Sequence, residues 1–144
     1  MIVLLSDTKP RSVNAEMSKL YRQEIADTFR SNHPQFTPLR GDLYAAVYYF
    51  HQVTTGLDAD NLSKPILDAL TGLAYEDDRQ VKVRYSGVHD LRQGFGVLAL
   101  GRIPQPQRQD LLGLLASTKP HTLYVEIGRL HYEEHFRFNS EVPR

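Results

Sequence analysis

The chain has no cysteine. That absence removes disulfides, thiolate metal sites and cysteine nucleophiles together, and it leaves no mark of an oxidising compartment. The chain also has no net charge, since 17 basic residues balance 17 acidic ones. Its bulk composition therefore shows none of the basic excess that a nucleic-acid partner usually leaves. Long apolar runs are missing too. The opening MIVLLSDTKP is short in apolar residues and has no basic stretch ahead of them. It is too short for a signal peptide or a membrane span, so the expected location is the cytoplasm, with no membrane partner. No Walker loop, G-x-G-x-x-G or G-x-S-x-G occurs, which leaves nucleotide-driven and serine-hydrolase chemistry without support. The segment His131-Tyr132-Glu133-Glu134-His135 lacks the glutamate that a zinc motif carries directly after its first histidine. Read as a strand, it would hold its two histidines about 13 Å apart.

What is present fits one domain of 144 residues, 41% hydrophobic and 24% charged, which is ordinary globular composition. Residues 12–31 carry Met17, Leu20, Tyr21, Ile25 and Phe29 at helical spacing, with Ser12 or Asn14 as the expected cap. Residues 33–41 are a proline- and glycine-marked loop. Residues 43–50 (LYAAVYYF) read as a central strand. Residues 61–73 read as a helix burying Ile66, Leu67, Leu70 and Leu73. Pro65 should lie near its start and Gly72 near its end. Residues 81–88 alternate as a half-buried strand. The region 92–120 gives no clear pattern beyond a short helix at DLLGLLAS, and 122–127 is a strand. The expectation is an α+β single domain over residues 1–144, a mixed β-sheet packed with helices.

The charge is unevenly placed. Residues 58–78 hold six carboxylates and one lysine, so the rest of the chain carries an excess of about five positive charges. Four of the acids form two pairs, Asp58/Asp60 and Asp77/Asp78, on either side of the expected helix. On an extended strand end, Asp58 and Asp60 would point the same way. A strand, a helix and a return could then bring the pairs together, and a divalent cation would relieve their repulsion. Lys64 and Asp68 follow Asp60 at successive four-residue steps, which is one helix face. An ammonium there could hold carboxylates in place or stabilise negative charge on a phosphate. Each element has an ordinary reading of its own: D-x-D recurs by chance, a D-D pair is commonly an exposed turn, Asp68 a solvated side chain and Asn61 a helix cap.

The combination is more specific. Asp58-Ala59-Asp60-Asn61-Leu62-Ser63-Lys64, then Asp68-Ala69-Leu70, then Asp77-Asp78-Arg79-Gln80-Val81 resembles the hallmark of the RusA family of Holliday-junction resolvases (crossover junction endodeoxyribonucleases). The likeness runs about 25 residues without a gap, and a weaker one covers KPRSVNAEMSKLYRQEI upstream. The resemblance implies a RusA-like fold and a homodimeric, Mg²⁺-dependent endonuclease, with Mn²⁺ a possible substitute. Such an enzyme resolves four-way DNA junctions by paired nicks in recombination and repair. Asp58, Asp60 and Asp78 would be catalytic metal ligands and Lys64 the catalytic lysine near the scissile phosphate. Asp77 and Asp68 would support the ligands from behind. The chain departs from the family pattern in lacking a Pro-Pro-Ser-x-Asn element, in having Thr54-Thr55-Gly56-Leu57 where basic residues are frequent, and in a longer 92–120 region.

Candidate phosphate contacts are Lys9, Arg11, Lys19 and Arg22 near the first helix, with Arg79, Lys82 and Arg84 beside the later acid pair. Tyr21 and Tyr75 could stack on a base, though core packing is the plainer reading. Two alternatives stand beside the resolvase: a nuclease acting on flaps, forks or other branched DNA, and a non-catalytic module that binds branched DNA.

Overall fold

A computed structural model describes residues 1–12, 16–94, 99–136 and 138. Its centre is a four-stranded mixed sheet in the order β1-β4-β2-β3, formed by β1 (Ile2–Ser6), β2 (Leu43–His51), β3 (Val81–Asp90) and β4 (His121–Arg129). β4 runs antiparallel to both β1 and β2, whereas β2 and β3 are parallel. Parallel neighbours need a crossover, and α2 (Ala59–Leu70) supplies it. It packs with α1 (Ser18–Asn32) on one face of the sheet, and α3 (Gln105–Ala116) lies against the other. A short α4 (Tyr132–His135) follows β4. The fold is α+β, as expected.

β2 reads as a continuous apolar run because both of its faces are covered; only Tyr48 reaches solvent to any extent. Its odd positions Leu43, Ala45, Val47 and Tyr49 join Tyr21, Ile25 and Phe29 of α1 and Leu62, Ile66 and Leu70 of α2 in the main core. On the opposite face Val3, Phe50 and Tyr124 pack under Ile103, Leu111 and Leu115. Among the described residues no helix is long and apolar enough to cross a membrane.

Several local expectations need correction. The opening IVLLS, read only as too short for a membrane span, is the edge strand β1. Its pairing partner lies more than a hundred residues away, so no local pattern marks it. α1 starts at Ser18 with Met17 at its cap position and no side-chain cap bond, so Ser12 does not cap it; Asn14 lies outside the described residues. Met17 and Leu20 are exposed, so the buried stripe of α1 is narrower than its apolar spacing. α2 begins two residues early and ends at Leu70, which leaves Pro65 in its interior. A buried proline there removes the helical donor for the Asn61 carbonyl. The strong cap at Asp58 and the burial of Leu62, Ile66 and Leu70 offset that loss. Gly72 does end the helical course, at φ +84°, a conformation that suits glycine. Tyr21 and Tyr75 are core residues, 1% and 0% exposed, and neither is open to a base. The His131–His135 segment is a helical turn instead of a strand, with its two rings 6.1 Å apart.

Candidate functional site

The acidic segment is built around α2. Asp58 is its N-cap: backbone extended, side-chain Oδ1 accepting from the Asn61 N–H at 3.0 Å, carbonyl accepting from the Leu62 N–H at 3.1 Å. The cap is therefore Asp58 and not Asn61, and Asp60 belongs to the first helical turn instead of a strand end. The competing geometry wins because a capping carboxylate satisfies an otherwise orphaned amide and complements the helix dipole. Leu62, Ser63, Ile66, Leu67 and Leu70 turn inward, which leaves Asp60, Lys64 and Asp68 on the outward side. Lys64 Nζ donates to both Asp68 oxygens at 3.2 Å. This exposed pair at i, i+4 contributes a few tenths of a kcal/mol.

The second acid pair sits in a 3₁₀ turn, Asp78–Gln80, that feeds straight into β3. Asp77 caps it, accepting from the Arg79 amide at 2.8 Å and from the Arg79 guanidinium at 2.6 Å. The Arg79 contact, with help from the backbone N–H, holds the Asp77 carboxyl well below the usual range. Asp78 is exposed. Gln80 closes a capping box with Asp77 and ties the turn down. Its Oε1 accepts from the amides of Glu76 and Asp77, and its Nε2 donates to the carbonyls of Leu39 and Gly41. The D-x-x-Q spacing signals such a box, so Gln80 was findable as a positioning residue. Gln80→Ala is expected to cost about 1–3 kcal/mol, because the loss leaves two carbonyls and two amides to find new partners; urea denaturation measures it.

β3 carries Arg84 and Ser86 toward α2. Ser86 Oγ donates to the Ala59 carbonyl at 2.5 Å, and Arg84 Nη1 lies 3.4 Å from Ser63 Oγ. Tyr75 is buried below them, with its hydroxyl donating to the Leu67 carbonyl at 2.6 Å. Burial raises the Tyr75 pKa; Asp68 and Asp78 push it further up and Arg84 pulls it back. The Tyr75 hydroxyl thus feels the charges of Asp68, Asp78 and Arg84.

These contacts also show what is not brought together. α2 runs back against the direction of β2 and β3. Its first residue faces Ser86, whereas Asp78 precedes Val81 at the start of β3. Five residues of strand, about 16 Å, lie between those levels. The crossover therefore separates Asp58/Asp60 from Asp77/Asp78 instead of joining them. Among the described residues no three His, Asp or Glu side chains are grouped closely enough to hold a metal ion. The donors themselves are exposed carboxylates, the chemistry a hard cation takes. Magnesium commonly needs only one or two carboxylates beside water and substrate phosphate, which the Asp58/Asp60 pair can offer.

Of the candidate phosphate contacts, Lys9, Lys19, Arg79, Lys82 and Arg84 are exposed, and Arg11 and Arg22 are half-buried. Arg79 is engaged with Asp77, and Arg84 lies beside α2. Lys9 is elsewhere, close enough to His121 on β4 that its charge, added to burial, lowers the histidine pKa.

No curated protein matches the chain. A protein-family model does: that of the endodeoxyribonuclease RusA, over residues 5–93. The matched span runs from β1 through the 3₁₀ turn that follows β3, and it includes every candidate site acid, lysine and arginine. It leaves out α3 and the central strand β4. The span is well over half of the chain, and the chain belongs to the RusA family of endodeoxyribonucleases.

Proposed function

We propose that the protein is a Mg²⁺-dependent endodeoxyribonuclease that resolves four-way DNA junctions by paired nicks, working as a homodimer in the cytoplasm, with Mn²⁺ an acceptable substitute. The observation that carries this reading is the complete acidic motif inside the span matched by the family model. Asp58 and Asp60 would hold the metal at the start of α2, whereas Asp78, about five residues of strand away, would act from that separate position. The bound ion would supply an activated water and a counter-charge for the leaving oxygen.

The chain's own residues have separable parts to play. Asp58 sets the start of the helix through one carboxylate oxygen and would offer the other to the ion. Lys64, one and a half turns further along the exposed face, offers a cation to the scissile phosphate once that phosphate competes with Asp68 for it. Arg79, Lys82 and Arg84 line the approach along β3 and give affinity without reading bases. Lys19 and Arg22 on α1, with Lys9 and Arg11 in the segment after β1, would add further phosphate contacts, Lys9 on the β4 side of the sheet. Asp77, held by Arg79, and Asp68, held by Lys64, keep those cations oriented until DNA arrives. Two-fold symmetry suits the task, because resolving a junction needs a pair of related cuts.

The test is incubation of purified protein with a labelled synthetic four-way junction, with Mg²⁺ and with EDTA, beside Asp60→Asn and Asp78→Asn. Paired nicks that need the metal and disappear in both variants are the expected result. Cleavage at the wild-type rate by Asp78→Asn would remove that residue from the reaction. Flaps and forks cut faster than junctions would move the substrate to other branched DNA, and metal-dependent binding without any cutting would make the chain a binding module.

A further inference from the structure

The face of the sheet turned away from α2 carries a cavity of about 1150 Å³ that the acidic motif does not use. Its floor is written into the β2–β4 register. Tyr44, Ala46 and Tyr48 alternate onto this face and lie opposite Gly128, Glu126 and Tyr124. Ala46 and Gly128 are small enough to leave the space open. A Cβ on Gly128 would stand 2.8 Å from the Tyr44 ring, so the ring occupies the place a side chain would take. Tyr48 and Tyr124 stack with planes 9° apart.

At the centre lies Glu126. The Tyr44 hydroxyl donates to Oε2 and the Tyr124 hydroxyl to Oε1, each at 2.6 Å. Both phenols are held protonated, mainly by burial and then by the carboxylate itself. They are therefore donors, and the carboxylate oxygens keep acceptor capacity facing the cavity. Arg102 and Arg129 stand at the rim, both exposed. Flat aromatic walls, an acceptor at the floor and cations at the mouth are the complement of one nucleotide: a ring to stack, amino and imino donors to bind, and a phosphate left outside.

We propose that this cavity takes one unpaired base of the DNA, stacked on Tyr48, which Tyr124 backs from the core, and hydrogen-bonded to Glu126. Guanine is the best match, because its ring N–H and exocyclic amine are adjacent donors that two carboxylate oxygens can share. Thymine offers no amine. The proposal rests on the reading that the protein handles DNA, and it adds a base-reading site distinct from the cutting site. A second copy of the chain is the rival occupant. Pressing this face against its twin would bury a carboxylate in a dry interface, which is costly without a matched partner.

The experiment is fluorescence anisotropy with seven-nucleotide single strands: all thymine, or with one central guanine or inosine, the inosine lacking only the amine. Wild type is expected to bind the guanine strand about tenfold more tightly than the thymine strand, with inosine between them. Glu126→Gln should reduce that preference to near unity. Tyr48→Ala, a change at an exposed position that leaves the carboxylate intact, should weaken all three strands by about fivefold or more. Equal binding of all strands by wild type, or a guanine preference that survives Glu126→Gln, would overturn the proposal. So would sedimentation showing that Tyr48→Ala dissociates a dimer while strand binding is unchanged, which would assign the face to a second copy. Junction cleavage measured on the same preparations keeps the two readings apart: guanine preference without cutting removes the nuclease and keeps the base site, and cutting without preference does the reverse.

Discussion

Asp58→Asn is expected to cut a four-way junction roughly a hundred-fold or more slowly than wild type, the size of effect that follows loss of one charge-stabilising group at a reacting phosphate. Its melting temperature should be unchanged. The reason is that Asp58 has two roles that this substitution separates. As N-cap, its side chain accepts from the Asn61 amide, and asparagine caps as well as aspartate does. As proposed metal ligand, it needs the negative charge that asparagine lacks. Asp58→Ala removes both, so it should lose activity and also about 1 kcal/mol of stability, which lowers the melting temperature of a domain this size by about 2–4 °C. Single-turnover cleavage and calorimetry on the two variants decide the matter. Full activity in Asp58→Asn would leave the residue as a cap alone and move the chemistry elsewhere along the segment.

Leu62→Ala is the second large expectation, and it points the other way. Leu62 stands inside the motif, between Asp60 and Lys64, yet its side chain is 0% exposed and sits in the main core with Ile66, Leu70 and Tyr75. Truncating a fully buried leucine costs about 2–5 kcal/mol, the lost transfer energy plus the cavity left behind. That corresponds to a drop of about 5–15 °C in melting temperature. Cleavage at a temperature well below the new transition should stay within about threefold of wild type, because the carboxylates and Lys64 project from the other side of the helix. A normal melting temperature with lost activity would contradict this assignment and would mean that α2 turns a different face to the sheet. Asp58→Asn and Leu62→Ala together are thus opposite halves of one statement about the helix: one face carries the charges proposed to act on the substrate, the other carries the fold.

Much of this was legible in the chain. Local patterns are readable where one element's periodicity records its own burial. LYAAVYYF is apolar throughout because β2 is covered on both faces. The inward residues of α2 repeat at helical spacing because one side of it meets the sheet. The acidic motif was readable because its residue types and spacing are unusual in combination, and the family match runs across the same residues. Asn61, to which a cap role was open, is not the cap because several nearby polar residues can each offer an oxygen, and only the backbone geometry at Asp58 selects one. Pro65 misled for a related reason. A proline favours a first turn locally, but the packing of Leu62, Ile66 and Leu70 extends the helix ahead of it.

Other features depended on contacts between distant segments. Five residues at the N-terminus become β1 only by pairing with β4, and Tyr44 meets Glu126 only because β2 and β4 run antiparallel in that register. The separation of the two acid pairs has the same origin. Nothing in their spacing says that β2 and β3 are parallel, and it is the parallel pairing that sends α2 back along the sheet. By itself, the sequence determined the chemical inventory: exposed carboxylates and a lysine on one helix, aromatic residues on the central strands, and a domain without thiols. Tertiary structure alone decided which of those groups share a surface, because proximity across the sheet is set by strand order, direction and register, and these are properties of pairs of segments that no single segment encodes.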